Sequence, residues 1–434
     1  MSALLSGHCF IQFHRMKPLL AQLIYTFSAL VISTSLIAQT QTPPPKSWID
    51  PDTGHRVIRL TDEPGSASFY FTDNGYTSDG KYLVYTTPGA ISALNLTTYE
   101  THVIVKGVAR AIVVGRKTPT IYYTKTTAKR GFLELWSANI ETNQTQKLAS
   151  LPQRGNIVTI NADETLAVGS YIEGTGLDYG SNGGNTQGSQ QPHVLDQPAN
   201  KSQMMATRLA ARLPMWIYTV DLRTGQSHNL LHGTDWLNHM QFSPTDPNLL
   251  MYCHEGAWHQ VDRIWTIRTD GTQNQLIHKR IMEMEISGHE WWSHDGNWIW
   301  YDLQLPKHIN GYVAGYNINT HERIWYHHEV SEDSIHYNSS WDGSLFCGDG
   351  SQSPGAQWIY LFRPVHIHND HTLGENLILA GKFEAEKLVN MSKHHYKLEP
   401  NVSFTPDNKF VVFRSNMFGS TYAFAVEVAK AKTP

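Results

Sequence analysis

With 434 residues, 40% of them hydrophobic, the chain has ample material for a large buried core. A formal net charge of −4 excludes a global basic field of the kind that recruits nucleic acid or anionic membrane, so an acidic ligand would be held by local cations. No Gly-x-Ser-x-Gly, His-Glu-x-x-His, P-loop or Cys-x-x-Cys motif is present, which removes support for serine hydrolase, zincin and nucleotide-binding readings.

Residues 1–38 read as a secretory signal peptide. Arg15 and Lys17 precede an apolar run from Leu19 to Leu36, and Ile37-Ala38-Gln39 offers a cleavage point, with Met16 as an alternative start. A Pro-rich linker (39–46) follows, and 47–434 is expected to be the folded domain. The expected location is periplasmic or secreted, with no membrane attachment after cleavage. Cys253 and Cys347 lie in apolar, strand-like sequence, where buried free thiols are expected.

Along the folded part a turn followed by an apolar strand recurs. It appears at Ser78-Asp79-Gly80, Arg116-Lys117-Thr118-Pro119, Ala162-Asp163-Glu164, Ser243-Pro244-Thr245-Asp246, Ser293-His294-Asp295-Gly296, Ser340-Trp341-Asp342-Gly343 and Thr405-Pro406-Asp407-Asn408. Asp-Gly and Asp-Asn supply the turn backbone, and the β-branched and aromatic residues after them fit strands. Most copies continue into a second strand pair, the signature of a four-stranded propeller blade. The fold class expected is therefore all-β: a seven-bladed β-propeller whose last blade is completed, and the ring closed, by the N-terminal strand around His55–Thr61. Residues 174–203, rich in Gly, Ser, Asn and Gln, read as a loop insertion. A short helix around Met204–Arg212 follows, and its Arg208 is a candidate substrate contact should the insertion act as a lid.

The strand before each marker is expected to be the innermost one, opening onto the axial channel. His289, His336 and Asn401 stand six residues ahead of the marker Asp, His239 seven and Glu399 eight. Equivalent sequence positions imply equivalent places in space, so the imidazoles should converge on one site. His254, in Cys253-His254-Glu255-Gly256, and Arg263, which opens an aromatic strand, extend the constellation. For Arg263 a structural ion pair with Asp262 or Glu255 is an equal alternative. The segment His394-His395-Tyr396-Lys397-Leu398-Glu399-Pro400-Asn401 concentrates imidazole, carboxylate and amide groups. Such donors suit a divalent cation, Mn²⁺ or Ca²⁺, better than a thiolate-seeking ion. A glycoside hydrolase would need two carboxylates across the channel, and Glu399 and Asp73 are the inner-strand candidates for that role.

From about Trp236 onward the chain resembles the oligogalacturonate lyase family, seven-bladed propellers that degrade pectin fragments. The residues that carry the resemblance are Asp235-Trp-Leu-Asn-His239, Cys253-His-Glu-Gly256, Val261-Asp-Arg263-Ile-Trp265, Gly288-His289-Glu290-Trp291, His336 with Asp342-Gly-Ser-Leu345, Gly348-Asp-Gly350 and Ser403-Phe-Thr-Pro-Asp407. Asp50-Pro-Asp-Thr-Gly54 with Arg59-Leu-Thr61 also fits. The resemblance implies β-elimination on an acidic oligosaccharide, giving a 4,5-unsaturated product. It assigns His289 as the base, Arg263 as the arginine that assists at the substrate, and His336 as a metal ligand. His395, Glu399 and Asn401 complete the expected metal set, and His239, His254, Arg208 and Tyr396 the substrate contacts. The chain departs from the family where His-Pro-His-Pro-Ser-Phe has become Glu399-Pro400-Asn401-Val402-Ser403-Phe404, and Tyr396 replaces a glutamine ligand. That change leaves open manganese, calcium or no metal, and equally another uronate glycan (ulvan or rhamnogalacturonan fragments). A non-catalytic periplasmic binding propeller is the alternative from outside enzymology.

Overall fold

A computed structural model describes residues 43–174, 201–367 and 377–431. The expected signal peptide, and residues 175–200 of the expected insertion, lie outside the described residues. Each marker turn opens a strand: Tyr82–Thr87, Thr120–Thr126, Leu166–Ile172, Leu249–Glu255, Trp298–Gln304, Phe346–Gly348 and Phe410–Phe418. The reason is local. The Asp79, Asp295, Asp342 and Asp407 carboxylates each accept the backbone amide two residues on, at 3.0–3.1 Å. The residue after each Asp turns left-handed, with φ of 73° at Gly296 and 72° at Gly343, a conformation glycine adopts without steric cost.

The protein is all-β and propeller-like in its connections, with consecutive strands pairing antiparallel in up-and-down order. Four-stranded sheets run Arg110–Val114 to Thr145–Ser150, Thr159–Ile160 to Ser227–Gly233, and Trp236–Phe242 to Gln275–Leu276. In each of these the strand before the marker strand stands at the sheet's edge, as the register reading requires. Two further four-stranded arrays are fused into one eight-stranded sheet, because Leu379–Lys382 pairs in parallel with Ile324–His327. The first repeat differs from expectation. Its sheet has three strands, and the segment before its marker touches it through isolated bridges, Ala67 to Thr86 and Tyr76 to Leu83. At the other end, His55–Arg59 pairs with Ser420–Lys430, and buried Val57 packs with Phe424 and Val426.

Core clusters form between neighbouring sheets, as in Ile217 with Leu237 and Phe242, or Met251 and Ile264 with Ile299 and Tyr301. Cys253 and Cys347 are buried free thiols, as expected. The helix after the insertion spans Lys201–Ala210, and no described helix is long and apolar enough to cross a membrane.

Candidate active site

The histidine register has a backbone cause. In Trp236–Phe242 the pairing passes from Asn238–Cys253 to Gln241–Met251, so two residues oppose one. In Ile286–Trp292 it passes in the same way from Gly288–Asp302 to Trp291–Trp300. These are β-bulges, and the bulged residues His239 and His289 have φ of 46° and 47°. Asn401 shares the conformation with φ of 56°, while His336 reaches the same place without it. Three of the four register positions therefore share a left-handed kink that re-aims a side chain, and the third of them is an asparagine.

The imidazoles do converge. The rings of His289 and His336 lie 4.6 Å apart, centroid to centroid. Tyr70 approaches His336 at 5.2 Å and His239 at 6.2 Å, and Phe71 approaches His336 at 4.6 Å and His289 at 6.1 Å. Trp258 stands edge-on to His289 at 4.9 Å. The segment carrying Tyr70 and Phe71 is pinned by its backbone: Asn338 Nδ2 donates to the Phe71 carbonyl at 2.6 Å, and the Phe71 amide donates to Asn401 Oδ1 at 3.3 Å. Sequence reasoning missed this aromatic pair, because it lies outside the repeating strands and carries no motif.

Burial, followed by the charges of His336, Lys201, Arg263 and His239, pushes the His289 imidazolium well below the ordinary histidine range. Its Nδ1 is buried with no hydrogen-bond partner. The ring is therefore neutral near physiological pH and able to accept a proton. His336 is held differently. Its Nδ1 and its own amide both donate to Asp349, each at 2.8 Å, and the Asn401 amide adds a third donor to that carboxylate at 3.0 Å. Asp349 thus fixes the orientation of the His336 ring, and Nε2 on its other side is buried without a hydrogen-bond partner.

Arg263 is fully buried between two carboxylates, with Nε 2.9 Å from Glu290 and Nη1 2.6 Å from Glu255. The ion-pair alternative holds for Glu255, whereas Asp262 pairs with Arg280. Burial alone would raise the Glu255 pKa, but Arg263 and His239 more than offset it and hold the group ionised. His239 Nε2 lies 3.1 Å from the same carboxylate. A buried arginine facing two acids carries its charge internally, and Nη2 is the nitrogen left without a partner.

The expected metal set is not gathered as a set. His336 Nε2 faces Glu399 Oε2 at 3.8 Å. The Asn401 amide group is occupied on both sides, its oxygen by Phe71 and its nitrogen by the Glu399 carbonyl. His395 is exposed, with Nδ1 accepting the Lys397 amide, and so does not join the cluster. No three His, Cys, Asp or Glu side chains among the described residues group to hold an ion. The unforeseen neighbour is Lys201, whose ammonium lies 3.6 Å from Glu399 Oε1.

Three expected substrate contacts take other positions. Tyr396 is buried in the core, its hydroxyl donating to the Asp349 carbonyl at 3.3 Å, so it supports the cluster from behind. Arg208 is buried against Trp236 and Met215. His254 stacks on Trp265 at 5.0 Å, with Nδ1 2.8 Å from Asp235. Asp73, the other carboxylate weighed for a hydrolase, is pushed up to about 7 by burial, against the pull of Arg110.

A family model described as oligogalacturonate lyase matches residues 201–431. The chain belongs to the oligogalacturonate lyase family. Over 222 residues it is 30% identical to an oligogalacturonide lyase from Pectobacterium atrosepticum, and over 218 residues 28% identical to an oligogalacturonate lyase from Dickeya dadantii. Each alignment covers 48% of this chain and 54% of the relative, so the chain spans about half the length of the relatives it matches. The likeness in fold reaches further. An oligogalacturonate lyase solved in complex with manganese superposes with a TM-score of 0.71 at 22% identity, covering 88% of this chain and 96% of that one. The oligogalacturonate lyase of Vibrio parahaemolyticus gives 0.69 at 22% identity, covering 90% and 98%. The family model thus covers the half that carries the histidine cluster, while the likeness in fold extends over nearly the whole chain.

Proposed function

We propose that this protein is a lyase that cleaves uronic-acid oligosaccharides of the oligogalacturonate type by β-elimination, leaving a 4,5-unsaturated sugar. Family membership supports the reaction class. The observation that carries it is His289, a neutral imidazole buried beside His336. In the reaction His289 takes the C5 proton of the uronate, that electron pair forms the C4–C5 double bond, and the 4-oxygen departs with its own pair and is protonated. The C5 proton is acidic enough only when the neighbouring carboxylate is neutralised. Lys201 is the cationic group of this cluster proposed to do so, with Arg263 Nη2 as a hydrogen-bond donor and His239 as a further contact.

The relative solved with manganese supports a divalent cation in this protein too. The unpartnered His336 Nε2 and the Glu399 carboxylate fit one side of such an ion, and Asp349 orients the imidazole as metal-ligating histidines require. A cation held there would supply charge neutralisation at the sugar carboxylate. Manganese and calcium are both compatible with this imidazole–carboxylate pair.

The repeats are read as seven four-stranded blades, the eight-stranded sheet being two of them, with His55–Arg59 closing the ring. The leader implies a periplasmic or secreted protein, and the intact mass of the exported chain would give the cleavage point. The carboxylate of Glu399 favours, as a second reading, the same chemistry on another uronate glycan. The test is the rise in ultraviolet absorbance on oligogalacturonate, ulvan and rhamnogalacturonan fragments, with and without Mn²⁺ or Ca²⁺. One substrate should respond, and His289→Ala should lower the rate at least ~10²-fold while the protein stays folded. No rise on any of them would leave the non-catalytic binding propeller.

A further inference from the structure

The inner strands continue past the histidine cluster, so residues a few positions later line the other end of the same channel. There a cavity of about 70 Å³ is lined by residues that include Phe71, Arg116, Trp291 and His294. One water needs about 10–15 Å³ of such space, so the chamber has room for a small polyatomic ligand. Its upper wall is Phe71, whose other side touches His289 and His336.

Most polar side chains in this wall are already committed. Asn74, Asn161, Gln241 and Ser293 all hydrogen-bond to the protein. Arg116 and His294 are different: neither makes a hydrogen bond or ion pair within the described residues. Arg116 is the more telling of the two. Arg263 faces two carboxylates and Arg110 has Asp73 beside it, whereas Arg116 has no carboxylate partner among the described residues, and burial lowers its pKa to about 10. His294 lies flat against Trp341 at 4.1 Å, and burial and Arg116 keep it uncharged, so it can still donate one N–H. Asp73 also lines the chamber, but it stands beside Arg110 and burial pushes its pKa up to about 7, so the Arg116 guanidinium has no carboxylate of its own among the described residues and is an anion receptor by its chemistry.

We propose that this lower chamber binds a small oxyanion, a carboxylate or a phosphate, on Arg116 and His294, at a site separated from the histidine cluster by Phe71. The proposal is independent of the lyase reading. It is tested on the whole protein by calorimetric titration with inorganic phosphate and, in a second arm, with acetate, which distinguishes the two anion classes. One saturable site is expected in the wild type and equally in His289→Ala. Arg116→Gln should bind about tenfold more weakly or worse, and Arg116→Lys should retain part of the affinity. In the wild type the bound anion should also slow phenylglyoxal labelling of Arg116, read by peptide mass, and that measurement decides the matter should Arg116→Gln fail to fold. Absence of saturable binding, undiminished binding by Arg116→Gln, loss of binding in His289→Ala alone, or labelling of Arg116 unaffected by anion would each overturn the proposal.

Discussion

Burial decides what the individual histidines of this protein can do. His289 and His336 lie in ring contact, yet one is stripped of partners and the other is clamped by Asp349. Their sequence environments alone do not separate those states, since both precede a marker Asp by six residues. The same principle gives a measurable pH effect at His294, whose pKa burial and then Arg116 lower to about 3. The unfolded chain takes up that proton first, near pH 6.5, so stability falls as pH drops through this value and goes on falling towards the folded-state pKa. Between pH 6.5 and 5 this one group should cost about 2 kcal/mol. Urea denaturation at the two pH values should show His294→Gln losing correspondingly less stability than the wild type. An identical loss in both proteins would mean that the imidazole is not held neutral.

At the scale of elements, the bulges and the aromatic segment across the channel build the site together. The bulges turn His239 and His289 inward, and Tyr70 and Phe71 supply the surface they turn towards. Replacing buried Phe71 by alanine removes contacts to His289, His336 and Trp291 at once. A loss of about 3–5 kcal/mol in urea denaturation is expected, together with a fall in any lyase activity because the rings lose their backing. A change under about 1 kcal/mol would show that the segment is not a structural wall. The register was legible because the marker turn repeats and a bulge keeps its phase relative to that turn. Tyr70 and Phe71 were not legible, for they belong to the one repeat whose inner segment is held by bridges and side-chain amides rather than by a strand ladder. His395 and Tyr396 show the limit of reading donors from composition. They are adjacent in sequence, but one points to solvent and the other into the core.

For the molecule as a whole, the pairing of His55–Arg59 with Ser420–Lys430 joins the two ends of the described chain. Val57, Ile58 and Leu60 are all buried there, and at about 1.5–3 kcal/mol for each apolar side chain their removal should cost roughly 5–9 kcal/mol. A chain starting at residue 62 should therefore melt well below the wild type and self-associate through the bared strand edge. Unchanged melting and a monomeric elution profile would contradict the proposed closure. The sequence by itself determined the repeat, the all-β class, the family and the shared channel position of His239, His289, His336 and Asn401. These depend on turn chemistry and period, which are local properties. Only the tertiary structure decided which of those groups are partnered, because partners come from neighbouring strands and neighbouring sheets rather than from nearby sequence. Glu290 and Glu255 enclose Arg263, Asp349 locks His336, Lys201 reaches Glu399, and Arg116 is left with no acid at all among the described residues. A buried charge takes its meaning from what surrounds it in space, and that neighbourhood forms only when the strands pair and the sheets pack.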